Sequence, residues 1–208
     1  LPLFIYMGFM ISESGIANDL YKMFHVLFGG VKGGLAIGTM FMMVAISAMN
    51  GLSVAGMAIG ATIALPEMLR RNYDKRMITG VVQAGSSLGI LIPPSVVMVL
   101  YGMIARQPVS KLWMAGILPG LLMAFLFLIY IYVRCKLQPE LGPPLKKEER
   151  SVSTLEKIRL LKAGIIPFLI FFFMTGLFLM GIASLVECSA VGAFLATLAA
   201  VSYTHLRA

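Results

Sequence analysis

Charge is scarce in this chain of 208 residues: only 12% are Asp, Glu, Lys or Arg, the acids number nine, and 59% of the residues are hydrophobic. With a mean hydropathy of +0.92, this composition excludes an ordinary soluble globular domain and describes an integral membrane protein. Histidine and cysteine are equally thin, two of each. Cys135 and Cys188 fall at or inside apolar runs with no metal-type spacing, which argues against a disulfide framework and reads them as packing residues. His25 has no carboxylate or thiol at helical spacing to orient it, so it is expected on a solvated face and not in a catalytic pair. An initiator Met and a signal-peptide pattern are also lacking, and the chain reads as a partial sequence opening inside a membrane run. Near the other end the sequence turns polar where a helix begun at Glu187 has covered only about 24 Å. Residues 202–208 are therefore read as a doubtful tail, and His205 is given no role.

What the chain does carry is an excess of basic residues, for a net charge of +8. Arg70, Arg71, Lys75 and Arg76 share one short polar loop, and Arg134, Lys136, Lys146, Lys147, Arg150, Lys157, Arg159 and Lys162 fill another. That clustering marks cytoplasmic loops of a multi-pass protein in a lipid bilayer by the positive-inside rule, rather than a nucleic-acid surface.

The organisation follows from these anchors. Residues 1–32 read as the end of a membrane span plus an interfacial amphipathic helix, in which Ile16, Leu20, Met23, Phe24, Leu27 and Phe28 recur at three- and four-residue steps. Residues 33–69 are apolar except in the middle, where Ser47, Asn50, Gly51 and Ser53 come together. Each arm is about 15 to 17 residues, or roughly 22 to 25 Å as helix, short for an approximately 30 Å hydrocarbon core. A re-entrant hairpin with its polar tip near mid-membrane is expected, entering and leaving on the basic side. Residues 77–133 hold an interrupted helix and a following ordinary span with Trp113, Tyr130 and Tyr132 as interfacial aromatics. Residues 134–162 form a cytoplasmic linker, and 163–201 begin another set of spans.

The interruption is the most informative stretch. Gly85, Ser86, Ser87, Gly89, Pro93, Pro94 and Ser95 lie inside a run otherwise apolar enough to cross a bilayer. Hydrocarbon offers no hydrogen-bond partners, so irregular backbone survives at membrane depth only where protein or a water-filled cavity satisfies it. Two prolines stop the helical ladder. The released carbonyls and hydroxyls suit a desolvated cation, and the N-terminus of the restarting half-helix suits an anion. Further on, Ser184 and Glu187 have the spacing of a capping box, which predicts a helix start at that point and gives Glu187 a structural role ahead of an ionic one.

The run Ala84-Gly85-Ser86-Ser87-Leu88-Gly89-Ile90-Leu91-Ile92-Pro93-Pro94-Ser95 resembles the signature of the large membrane subunit of tripartite ATP-independent periplasmic (TRAP) transporters, the DctM-like proteins. Ser14-Gly15-Ile16-Ala17, Ala64-Leu65-Pro66-Glu67-Met68 with Tyr73-Asp74, and Ala115-Gly116-Ile117-Leu118-Pro119-Gly120 extend the resemblance over about residues 1 to 201. The family commonly has Thr-Pro-Thr-Glu where this chain has Ser184, Leu185, Val186 and Glu187, a change that keeps the cap. The resemblance implies an all-α polytopic membrane protein with an ion-transporter-type inverted-repeat fold, of which this chain holds mainly the first repeat. It also implies a sodium-coupled secondary importer of organic acids, dicarboxylate-like, in the bacterial inner membrane, working by an elevator-type mechanism. Its partners would be a periplasmic substrate-binding protein and a small TRAP membrane subunit. Carried over residue by residue, Ser47, Asn50, Gly51, Ser53, Gly85, Ser86, Ser87, Gly89, Pro93 and Pro94 are expected around Na+, with Asn50, Ser53 and Ser95 at the substrate carboxylate. No enzyme activity and no cofactor beyond the coupling ion are expected.

Two other classes remain open on sequence alone. An ABC-type permease subunit would also be polytopic, but needs a docking helix for an ATPase. An intramembrane serine hydrolase using Ser86 or Ser87 would need a base at membrane depth.

Overall fold

The computed structural model describes residues 2–144 and 168–205. Among the described residues every regular element is helical: α1 (Pro2–Glu13), α2 (Ile16–Phe28), α3 (Gly34–Asn50), α4 (Ser53–Arg70), α5 (Lys75–Ser87), α6 (Val96–Ala105), α7 (Val109–Leu137), α8 (Phe168–Leu179) and α9 (Leu185–His205), with short 3-10 turns at Leu88–Ile90 and Pro139–Leu141. The chain folds as an all-α membrane protein. Two helices, Val109–Leu137 and Leu185–Ser202, are long and apolar enough to cross a bilayer by length and composition. Of the first, only 22% of its most apolar window is buried, and Leu118, Leu121, Leu122, Phe125 and Leu126 point outward. A soluble helix would hide such a face; in a membrane protein it is a face open to lipid or to a further helix.

The core is built on α3. Leu35, Ala36, Met40, Met42, Met43, Ile46 and Ser47 are buried on every side of it, the condition of a helix surrounded by other helices. It packs against α2, α4, α5 and α7. α3 and α4 form an antiparallel pair joined at Gly51, whose φ of 63° closes α3 with its amide on the Ser47 carbonyl at 2.9 Å. A left-handed residue at that position is most easily glycine. Asp74 starts α5 as its N-cap, accepting the Arg76 and Met77 amides at 2.9 and 3.1 Å.

The basic end is tied together by hydrogen bonds. Gly33 N–H donates to Gly142 O at 2.9 Å and Asp74 N–H to Leu141 O at 3.3 Å, so the turn after α7 clasps both the start of α3 and the loop before α5. Tyr73 is buried in that loop; burial raises its phenol above the usual range, and its oxygen accepts the Leu35 amide at 3.3 Å. Glu67 pairs with Arg70 at 2.9 Å and Arg71 at 2.6 Å.

Several boundaries and environments differ from the sequence reading. The boundary drawn after residue 133 falls inside α7, which continues to Leu137, and α9 continues through Ser202 to His205. Most of the linker, residues 145–162, and the first residues of the following span, 163–167, lie outside the described residues, as do residues 206–208. Asp19 is buried although Asn18 and Lys22 on the same helix are exposed, and His25 sets its ring edge-on to Tyr21 at 5.8 Å. Trp113 is not an interfacial aromatic. It is 1% exposed, wedged edge-on between Phe4 and Phe178.

Candidate functional site

Hairpin tip and helix break meet at the far end of α3 from the basic loops. The bond that joins them is direct: Val96 N–H, the first amide of α6, donates to Gly51 O at 3.1 Å. Gly51 is fixed from both sides, since a Cβ there would stand 2.6 Å from Pro94 O as well as at positive φ. The two elements that the sequence proposed separately thus form one junction.

Glycines four apart let three helices close on it. On α4, Gly56 faces Ser47 and Gly60 faces Met43; from the neighbouring α5 and the break, Gly85 faces Met43 and Gly89 faces Ser47. A Cβ on Gly89 would lie 2.7 Å from both Ser47 Cβ and Ser47 O. On α7, Gly116 would meet Leu91 O at 2.6 Å and Gly120 would meet Ile92 Cγ1 at 3.0 Å. Small residues at this spacing allow backbones to approach closely in membrane bundles. The break is held in this way between α3 and α7, and its irregular backbone is enclosed by protein, as the lack of partners in hydrocarbon demands.

Ser47 is the focus of this packing. It is fully buried, and its hydroxyl has no hydrogen-bond partner. A buried hydroxyl left unpaired is costly by about 1–3 kcal/mol; among the described residues Tyr21 Oη and Thr175 Oγ1 share that state, and Ser47 is the one that sits at this junction. The other serines are differently engaged. Ser86 and Ser87 donate to the carbonyls of Gln83 and Ala84 at 3.0 and 2.8 Å, and Ser95 caps α6 by accepting the Met98 amide at 3.2 Å. Ser95 O in turn accepts Trp113 Nε1–H at 3.4 Å, so the buried indole anchors the restart of the broken helix to α7. Ser53 opens α4 and is half-buried beside the tip. Pro93 and Pro94 are buried in the break. The side chain of Asn50, which closes α3, lies outside the described portion of the structure.

Among the described residues no group of three His, Cys, Asp or Glu is placed to hold a metal. The donors at the junction are hydroxyl and carbonyl oxygens, which suit a hard monovalent cation and not a thiolate- or imidazole-seeking metal. Away from the junction, Ser184 and Glu187 form the expected capping box: the Glu187 carboxylate accepts the Ser184 amide and hydroxyl at 2.7 Å each, and Glu187 N–H donates to Ser184 Oγ at 3.3 Å.

Residues 1–207 match the family described as "Tripartite ATP-independent periplasmic transporter, DctM component". The chain belongs to this family. It is 35% identical over 133 residues to the C4-dicarboxylate TRAP transporter large permease protein DctM of Pseudomonas aeruginosa, covering 64% of this chain and 31% of that protein. It is 32% identical over 134 residues to the ectoine/5-hydroxyectoine TRAP transporter large permease protein UehC of Ruegeria pomeroyi, with 64% and 31% covered. The isethionate TRAP transporter permease protein DctMQ of Oleidesulfovibrio alaskensis is 32% identical over 132 residues, with 64% and 21% covered. The chain thus matches under a third of the length of these relatives. Membership in a TRAP large permease family sets aside the ABC-type permease, and these relatives are transport proteins, not enzymes.

Two features of the site were not singled out from sequence. Gly56 and Gly60 carry a signal, their four-residue spacing repeated at Gly85 and Gly89 and at Gly116 and Gly120. The anchoring role of Trp113, read from sequence only as an interfacial aromatic, carries none, because nothing local distinguishes a lipid-facing indole from a buried one.

Proposed function

We propose that this chain is the part of a sodium-coupled secondary importer in which the coupling ion binds, in the inner membrane, with organic acids delivered by a periplasmic binding protein and a small membrane subunit completing the system. The observation that carries this reading is the buried, unpartnered Ser47 hydroxyl at the bonded junction of hairpin tip and helix break. Sodium is the partner whose chemistry fits: a small cation satisfied by one hydroxyl and several carbonyls, at a junction where Gly56 and Gly89 bring backbone close to Ser47. The ligand set we propose is Ser47, Asn50, Gly51 and Ser53 on the tip, with Gly85, Ser86, Ser87, Gly89, Pro93 and Pro94 supplying backbone from the break. Gly85, one turn from Gly89 and against Met43, acts by permitting the approach.

A carboxylate would meet Asn50, Ser53 and Ser95. The Ser95 hydroxyl accepts one bond and retains its own proton to donate, at the N-terminus of α6 where an anion is favoured. Ser95 is fully buried, so the acid reaches it only after the Gly51–Val96 bond opens. Sodium drives import only by binding the substrate-competent arrangement better than the empty one, which is what an ion bridging the two sides of that junction does. The inward re-entrant path of α3 and α4 and an elevator-type movement of the junction belong to the same proposal. Relatives are named for C4-dicarboxylate, isethionate and ectoine; a dicarboxylate-like acid is the reading offered for this chain.

The test is uptake by the full-length permease reconstituted with its binding protein and small subunit, with and without an inward sodium gradient. Uptake that requires the gradient supports the proposal, and gradient-independent uptake contradicts it. Gly89→Val and Pro94→Ala are expected to abolish most uptake while the protein still inserts; full uptake by both would remove the site assignment.

A further inference from the structure

At the basic end, α5 and α7 run in opposite directions and leave between them a cavity of about 800 Å³ whose floor is Met40 of α3. Its walls are apolar: Met77, Val81 and Ala84 on one side, and Phe127 and Ile131 on the other. Its mouth is polar, lined by Arg76, Arg134, Asp74 and Gln138. Both arginines are exposed. The ion pairs among the described residues use Glu67 with Arg70 and Arg71 instead. Asp74 is engaged with the first amides of α5, so the mouth keeps a net positive charge. Below the arginines each wall continues for eight residues, Arg76 to Ala84 and Arg134 back to Leu126, about 12 Å of helix.

We propose that this groove binds one anionic phospholipid, its phosphate held by Arg76 and Arg134 and the upper part of one acyl chain laid along Val81, Ala84 and Phe127. A groove open to the bilayer at headgroup depth is filled by lipid, but an acyl chain alone gives no selection, because bulk lipid is as apolar as the walls. Selection comes from the arginine pair through net charge: guanidinium forks bind the phosphate oxygens of either lipid through paired hydrogen bonds, but they repel the choline ammonium of a zwitterionic headgroup, and basic pockets on the cytoplasmic side favour anionic ones. A free phosphate would use the mouth and leave the walls unused. The inference depends on the membrane placement of α5 and α7 and is independent of sodium coupling.

The full-length permease with its small subunit, stripped of lipid and titrated with phosphatidylglycerol or phosphatidylcholine of the same chains, is followed by native mass spectrometry. Phosphatidylglycerol is expected to bind first and at least about tenfold more tightly, given the usual contribution of two basic residues near a membrane surface. Arg76→Gln with Arg134→Gln should bring it to the phosphatidylcholine level. Gly80 lines the groove, and a Cβ there meets no atom within 4 Å, so Gly80→Leu should fill the cavity without strain and displace both lipids. Equal binding of the two lipids by the native protein overturns the proposal, a result that needs no variant. So does phosphatidylglycerol binding untouched by Gly80→Leu or abolished by excess inorganic phosphate, which would mean an anion site without a chain groove. A Gly80→Cys cross-link to another segment of the same polypeptide would equally overturn it, by showing protein in the groove.

Discussion

At the scale of single residues, Ser47 is defined by what its neighbours lack. Gly56 and Gly89 both close on it, but the two contacts differ in kind. At Gly56 an added Cβ meets the Ser47 hydroxyl, the end of a side chain, whereas at Gly89 it meets the Ser47 backbone oxygen and Cβ at 2.7 Å. Gly56→Ala should therefore lower thermal stability by several degrees, and Ser47→Ala should restore it by removing the clashing oxygen. Gly89→Ala should be equally damaging in either background. Melting curves of the three single variants and two doubles check this, and equal rescue of both glycine variants would show that neither contact is as described. Gly51 belongs with Gly89: positive φ adds roughly 1–2 kcal/mol of backbone strain for any other side chain on top of its contact with Pro94 O.

At the scale of elements, the broken helix is held by α7 as well as by the hairpin. Trp113→Phe keeps the ring contacts with Phe4 and Phe178 but loses the bond to Ser95 O. It should cost about 1 kcal/mol, the net worth of a neutral hydrogen bond, and loosen the restart of α6; Trp113→Ala should cost about 3–5 kcal/mol, as large aromatic truncations do. Equilibrium unfolding in mixed micelles measures both. The α9 cap makes the opposite prediction. Ser184→Ala should weaken the helix start by about 1 kcal/mol and leave the sodium dependence of uptake unchanged; an altered sodium dependence would mean that the Ser184–Glu187 pair does more than cap.

Much of this architecture was legible in the sequence where polar residues interrupt apolar ones. Ser47 to Ser53 and Gly85 to Ser95 announce a tip and a break because hydrocarbon tolerates neither without cause. The capping box was equally legible, being a purely local pattern. What escaped depends on which residues meet across the fold. Asp19 and Trp113 are buried because α2 and α7 pack on neighbours that no periodicity within those helices identifies. That the two polar interruptions belong to one site was expected from the resemblance, but the direct bond of Gly51 to Val96 joins residues 45 positions apart, and only the fold shows which atoms meet. The glycine pairs lie between these cases, visible as a spacing but mute about which helix they admit.

At the scale of the whole molecule, α1 packs on α9, with Tyr6 Oη 3.1 Å from Thr197 Oγ1, and α3 carries the centre, so the junction is supported from elements far apart in sequence. Its position at one end of α3, with the basic loops at the other, is the arrangement expected of a site reached from one side of a membrane and closed from the other. The measurement that bears most directly on this account is the sodium dependence of substrate uptake for the native full-length permease and for Ser47→Ala, reconstituted side by side. On the proposed assignment, in which the Ser47 hydroxyl ligates the ion, the variant should require several-fold more sodium for half-maximal uptake while remaining folded and inserted. Identical sodium dependence in the two proteins would contradict the assignment of the coupling ion to the junction of hairpin tip and helix break.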